Sequence, residues 1–325
     1  MSSFAPRGPM AAISRRTRAY FAPVNRETGA PAIYDPSKHG AFELDTPPAP
    51  WIDLGWLESL KRIPATSFAT VRAGAKGAPT AQLRRKLEAR VECEFREWGK
   101  LQMALAGGSQ HMNVLAADVN ADAMPSGGSP LSATAVLPGS TAQELIFGAG
   151  AVEAFADGDL LAVDVDYQQQ TGYVGTGVAG AYVNNPVDVL RDRHYVRRVT
   201  FNVGRVALKT VTTVTLAQPL IGGVPPAGAA AQKVVAFVDR EGGSFFQEWS
   251  ALFVLEQESG ARVCFHYPRL QPAAPAGEMR FELPASLSGW ALHASFLALP
   301  LTDFNDGEQV VCYRSFFPAP SSALY

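Results

Sequence analysis

Cysteine is scarce in this chain: Cys93, Cys264 and Cys312 are its three thiols, far apart and each within an apolar alternation. That spacing indicates neither a zinc knuckle nor a dense disulfide framework, and leaves buried thiols as the reading. An excess of either charge is missing too. Twenty-eight basic and thirty acidic residues give a formal net charge of -2, which argues against a broad surface that grips many phosphates. No run reaches the roughly 18 apolar residues of a membrane span, so stable membrane insertion is not expected. The N-terminus holds Arg7, Arg15, Arg16 and Arg18 but no compact apolar segment before a cleavage site, and so does not read as a secretory signal.

Catalytic and ligand-binding signatures are equally thin. The five histidines, His39, His111, His194, His266 and His293, show neither HExxH nor paired metal-ligand spacing. "TGYVGTGVAG" (171–180) has GxxGxG spacing without the lysine of a phosphate loop, and "GAGAVEAF" (148–155) lacks the strand and helix order of a dinucleotide fold. Asp157, Asp159, Asp164 and Asp166 are the carboxylates to weigh for hydrolysis, the last two sharing one face of a strand. A solvated strand face accounts for them as well. "DFNDGE" (303–308) is too short for an EF-hand and reads as a polar turn. In "DRHYVRRVTF" (192–201), Arg197 and Arg198 fall on opposite faces if the segment is a strand. No GxSxG elbow is present, and the sequence assigns no catalytic residue, no cofactor and no metal ligand.

What the chain does have is strand pattern and turns. Residues 1–50, rich in Pro, Gly and Ala and ending in "DTPPAPW", read as an extended N-terminal arm with little of its own to bury. Trp51 and Trp56 follow as anchors against a core or a neighbour. "ARVECEFREW" sets Val91, Cys93 and Phe95 against Glu92, Glu94 and Arg96, a half-solvated strand, and "GKLQMALAGG" predicts a short helix ended by Gly107 and Gly108. The stretch around 108–140 reads as a long insertion loop, projecting or held by a neighbour. From "TAQELIFG" onward most segments are strands: "LLAVDVDY", "YVRRVTFNV", "VALKTVTTVTL" with a tight turn or bulge at Gly204-Arg205, and "QKVVAF" through "VCFHYP" with hairpin connections at "DREGG" and "ESGA". "EMRFEL", "WALHASFLAL" and "EQVVCYRSFF" complete the set. Residues 51–325 are therefore expected to form one mainly β domain, an antiparallel sandwich or barrel-like fold with a short flanking helix and long loops.

In "APVNRETGAPAIYDPS", "PPAPWIDLGWLESLKR", the long stretch from "SFATVRAGAKG" to "HMNVLA", and "CFHYPRLQP", the chain resembles the tail tube proteins, the major tail proteins of tailed bacteriophages and related prophages. In that resemblance Asp53 to Trp56 is similar to the entry of the first tube domain, Lys76-Gly77 to a loop beside it, and Val91 to Trp98 to an early strand before the helix Lys100 to Ala106. Cys264 to Pro272 is similar to a late strand. The resemblance implies self-association into hexameric rings stacked as a hollow tube, and a place in the virion after assembly in the host cytoplasm. The implied partners are the tail terminator, the baseplate or tip proteins, the tape measure protein and double-stranded DNA in transient, non-specific passage. A lumen with more Asp and Glu than Lys and Arg is expected with it, since attraction repeated at every ring would retard DNA. Another virion structural protein (fibre, baseplate or decoration) and a β-fold hydrolase working through Asp164 and Asp166 stay open as competing readings.

Overall fold

The computed structural model describes residues 14–24, 30–45, 47–48, 50–73, 77–117, 130–165, 193–240, 248–257, 260–273 and 292–319. The protein is mainly β, built of antiparallel sheets with few helices. In chain order its elements are β1 (Ser14–Pro23), α1 (Pro36–His39), β2 (Ile52–Pro64), β3 (Ser67–Ala73), β4 (Ala78–Lys86), β5 (Ala89–Phe95), α2 (Lys100–Gly107), β6 (Gln110–Leu115), β7 (Thr134–Ala135), β8 (Glu144–Ile146) and β9 (Leu160–Asp164). There follow α3 (Arg193–Val199), β10 (Val203–Lys209), β11 (Thr213–Leu216), β12 (Ala230–Arg240), β13 (Trp249–Gln257), β14 (Arg262–Pro272), β15 (Leu292–Ala298), β16 (Leu301–Thr302), β17 (Gln309–Val310) and β18 (Tyr313–Phe317).

Six strands close into a barrel in the order β13-β1-β2-β5-β15-β14, with β14 returning to pair β13; β18 is the seventh strand of that sheet and lies on β14. Closure removes the exposed edges that an open sheet would present. Phe21, Phe253, Phe296, Trp249 and Tyr267 fill the interior with Val91, Cys93 and Phe95 of β5. Phe21 meets Phe253 edge-on at 5.9 Å and lies 5.5 Å from Phe296, an arrangement that suits the ring quadrupoles. Glu92 and Glu94 alternate with the buried positions of β5, as the period-two pattern predicts.

Within the expected N-terminal arm of residues 1–50, the described segment 14–24 is corrected by the structure. β1 pairs with β13 on one side and β2 on the other, and Ala19, Tyr20, Phe21 and Ala22 are fully buried. This segment is a wall of the barrel rather than an arm. Residues 30–45 and 50–51 wrap the outer face, where Tyr34, Phe42, Leu44 and Trp51 cover Tyr20, Leu252, Val254 and Cys264. Strands covered on both faces read as continuous apolar runs, which is why "YFA" and "ALFVL" do not alternate. Trp51 is thus a core anchor, whereas Trp56 is half-buried beneath Arg16 and Arg18 at 5.6 and 5.2 Å.

A second sheet runs β6-β12-β9-β10-β11-β8, with β7 on β12. Leu145, Phe147, Leu161, Val163, Val206, Val214 and Leu216 form its core. Gly204 lies inside β10 opposite Leu161 and is neither a tight turn nor a bulge; a Cβ there would stand 2.7 Å from Leu216 Cδ1, so glycine leaves room for that leucine. Two further expectations change. Residues 110–115 of the expected insertion loop are the edge strand β6, and β12 and β13 belong to different sheets, so they do not form the expected hairpin. The segment 193–199 is helix, not strand: Tyr195, Val196 and Val199 share one helical face, and Arg197 and Arg198 are both buried.

The helix α2 forms where its composition predicts and ends at Gly108, whose φ of 60° places it in the left-handed region that glycine enters without strain. Its Leu101 and Leu105 pack on the barrel, and Phe201 after α3 meets Trp249 with ring centroids 5.3 Å apart. These contacts join the second sheet to the barrel. Phe296→Ala is expected to lower unfolding free energy by about 3–5 kcal/mol through the cavity it leaves, whereas the same change at Phe304, 94% exposed, costs under roughly 0.5 kcal/mol. Urea titration of the two variants against the parent checks the contrast.

Candidate assembly interface

β3 and β4 form a two-stranded ribbon of their own. Register pairs Phe68 with Arg84, Ala69 with Leu83, Thr70 with Gln82 and Val71 with Ala81. Paired residues share a face, so Ala69, Val71, Ala81 and Leu83 line one side, and Phe68, Thr70, Gln82 and Arg84 the other. Both sides meet solvent: Phe68 is 56% and Leu83 58% exposed. The tip is tied by Arg72 Nη1 donating to Gly77 O (3.0 Å) and Thr80 Oγ1 donating to Val71 O (3.1 Å). A lone two-stranded ribbon is marginally stable in water, and one with apolar residues on both faces gains from being covered. Residues 67–87 contain Arg72, Lys76, Arg84, Arg85 and Lys86 and no acid.

A second surface lies at the turn between β16 and β17. Asp303 Oδ1 accepts from Asn305 N and Asp306 Oδ1 from Glu308 N, both at 2.9 Å, which makes "DFNDGE" a polar turn. Tyr313 donates its hydroxyl to Asp303 Oδ2 (2.7 Å). That bond, with those from Asn305, holds the Asp303 carboxyl below the usual range, while burial and the same carboxylate push Tyr313 up to about 12. Phe304 projects from the turn. Beside it a cavity of about 650 Å³ is walled by Tyr34, His39, Asn305, Tyr313 and Arg314, among others.

The residues weighed for chemistry are dispersed. Asp164 is buried in β9 with Oδ1 accepting from Val165 N, and Asp166 lies outside the described residues. Asp159 is part of the scaffold. Burial works to raise its carboxyl, but bonds from Lys233 (2.8 Å) and Ala156 N outweigh this and hold it low. Residues 148–155 pass through a short 3-10 turn at Ala151–Ala154, and 171–180 lies outside the described residues, as does "EMRFEL". All three thiols are free; Cys93 and Cys264 are buried, and burial raises all three, Cys264 to about 11. Among the described residues no group of three or more His, Cys, Asp or Glu is placed to hold a metal ion.

One polar cluster has a structural explanation. The C-terminal carbonyls of α3 lack helical donors. Asn113 Nδ2 donates to Arg197 O (2.7 Å) and Thr200 O (2.9 Å), His111 Nε2 donates to Val199 O (2.7 Å), and Lys100 Nζ donates to Thr200 O (2.9 Å) and Asn113 Oδ1 (2.6 Å). His111 stacks on Phe201 at 3.9 Å, and Lys100 lies over the rings of Phe201 and Phe237. Desolvation pulls both pKa values well down, and their mutual repulsion adds to the shift at His111.

Sequence reasoning missed the ribbon as well. Its signal was the glycine-rich "GAKG" between the strand-compatible runs "SFATVRA" and "APTAQLRRK". No protein-family model matches this chain, and no curated protein matches it either.

His266, on β14, faces Ser250 Oγ at 3.1 Å and the rings of Tyr34, Trp51 and Tyr313. Burial holds its pKa down to about 4, below the 6.5 ordinary for histidine. The folded protein therefore binds fewer protons than the unfolded chain between these values, and stability that is full above pH 6.5 falls as pH drops toward 4. The expected loss from His266 is roughly 3 kcal/mol. Urea midpoints measured across that window should fall for the parent and fall less for His266→Gln, with His111, shifted the same way, supplying remaining slope. Identical slopes would show that His266 is not held neutral.

Proposed function

We propose that this chain is a structural subunit of a virion tail: a tail tube protein whose copies close into hexameric rings and stack as a hollow conduit for viral DNA. The observation that carries the reading is the β3–β4 ribbon, which leaves Phe68, Val71 and Leu83 in solvent in a single subunit. Burial worth about 25 cal/mol per Å² of apolar surface is then available to a neighbour. A ring closed by one heterologous contact and extended by a second gives an open-ended stack. The outer edges of β18 and β6 end their sheets among the described residues, and these edges allow pairing across subunits.

The resemblance to tail tube proteins names the assembly. In this reading the chain acts through assembly alone, without turnover or cofactor. Its partners are further copies of itself, the tail terminator, the baseplate or tip proteins and the tape measure protein, and DNA passes without being retained. The small negative charge of the chain suits a lumen that repels phosphates.

Negative-stain images and sedimentation of the purified chain test this. Hollow sixfold rings or rods are the expected outcome; a monomer at every concentration, in low and high salt, refutes it. Replacing residues 67–86 with a short Gly-Ser linker should leave the urea midpoint of the barrel nearly unchanged and abolish the large species. Rods of normal length from that variant would remove the ribbon from the assembly.

A further inference from the structure

We infer that the β3–β4 ribbon of one copy docks on the 303–308 turn and adjoining cavity of the next. The inference rests on the self-assembly reading above and specifies the two surfaces that meet. The sequence over residues 67–87 has five bases and no acid, of which Arg72 and Arg84 are described side chains of the ribbon, and the stretch 299–311 has Asp303, Asp306 and Glu308 and no base. Opposed charge of this kind fixes partner and orientation.

The apolar parts match as well. Phe304 stands 94% exposed at the turn, next to a cavity that also includes Ile33, Tyr34 and Tyr313 in its walls. Phe68, Val71 and Leu83 are apolar groups of the ribbon that lack cover. Arg84 shares the face of Phe68, while Val71 and Leu83 lie on the other, and Arg84 over the face of Phe304 adds a cation–π contact. The cavity has bases of its own, Lys38 and Arg314, but Asp35 and Asp303 are on the same wall, and Lys38 Nζ lies 3.5 Å from Asp35. The excess charge offered to a neighbour is therefore that of Asp306 and Glu308. Because the two surfaces differ, the contact is heterologous and repeats without closing on a pair.

Two charge-reversal variants test the pairing: Arg72→Glu with Arg84→Glu on the ribbon, and Asp306→Lys with Glu308→Lys on the turn. Each variant alone sets like charges against one another at the reversed positions, whereas an equimolar mixture restores opposite charges at those positions in every contact between alternating copies. Light scattering and sedimentation should show the concentration needed for assembly raised about tenfold or more in each variant and returned near the parent value in the mixture, with circular dichroism confirming that both variants fold. Assembly of either variant at the parent concentration, or a mixture that stays dispersed, overturns the docking pair while leaving the tube reading intact if the parent assembles. A parent that never assembles overturns both.

Discussion

Closure of the barrel is the constraint on which the rest of the molecule depends. The β13–β14 pairing turns a row of strands into a cylinder, and only then do Phe21, Phe253, Phe296 and Trp249 face one another in a dry interior. The outer face of the same strands is covered by residues 30–45 and 50–51. Three strands thus lose both faces to solvent exclusion, which makes the wall rigid enough to hold β2 and β5, from whose ends the ribbon departs. The subunit spends its internal apolar surface on closure and leaves the ribbon's to a neighbour.

The second sheet is attached through a different chemistry. Its junction with the barrel carries Phe201 against Trp249, but the adjacent layer is polar: Lys100, His111 and Asn113 satisfy the end of α3. Buried carbonyls left without donors would cost more than these side chains lose by desolvation. The neutral state favoured at His111 and at His266 follows from the same dryness.

How far the sequence revealed this structure depended on whether side chains served one packing face. β5 and α2 were legible because one face is buried and its periodicity survives, whereas β9 is buried on both faces and was legible through its apolar residues. β1 was hidden by arginines at its start and by burial on both faces later. β6 was hidden because His111 and Asn113 point inward as donors, so no apolar alternation exists. α3 carries β-branched residues whose local preference suggested a strand, and packing of Tyr195, Val196 and Val199 overrode it. The candidate interface was less legible still. Its exposed apolar residues have no periodic partner within the chain, and the acidic turn around Phe304 looks like any polar turn until the cavity beside it is known.

The edge of β14 is divided. Residues Arg262 to His266 pair with β18, while Leu270, Gln271 and Pro272 alone register with β15. Pro272 has no N–H to give, so this seam holds fewer backbone bonds than the one between β1 and β13, with its nine registered pairs. Under outward strain the cylinder would part first along this line, and a subunit clasped on both sides by others would be protected from that failure by its neighbours' grip.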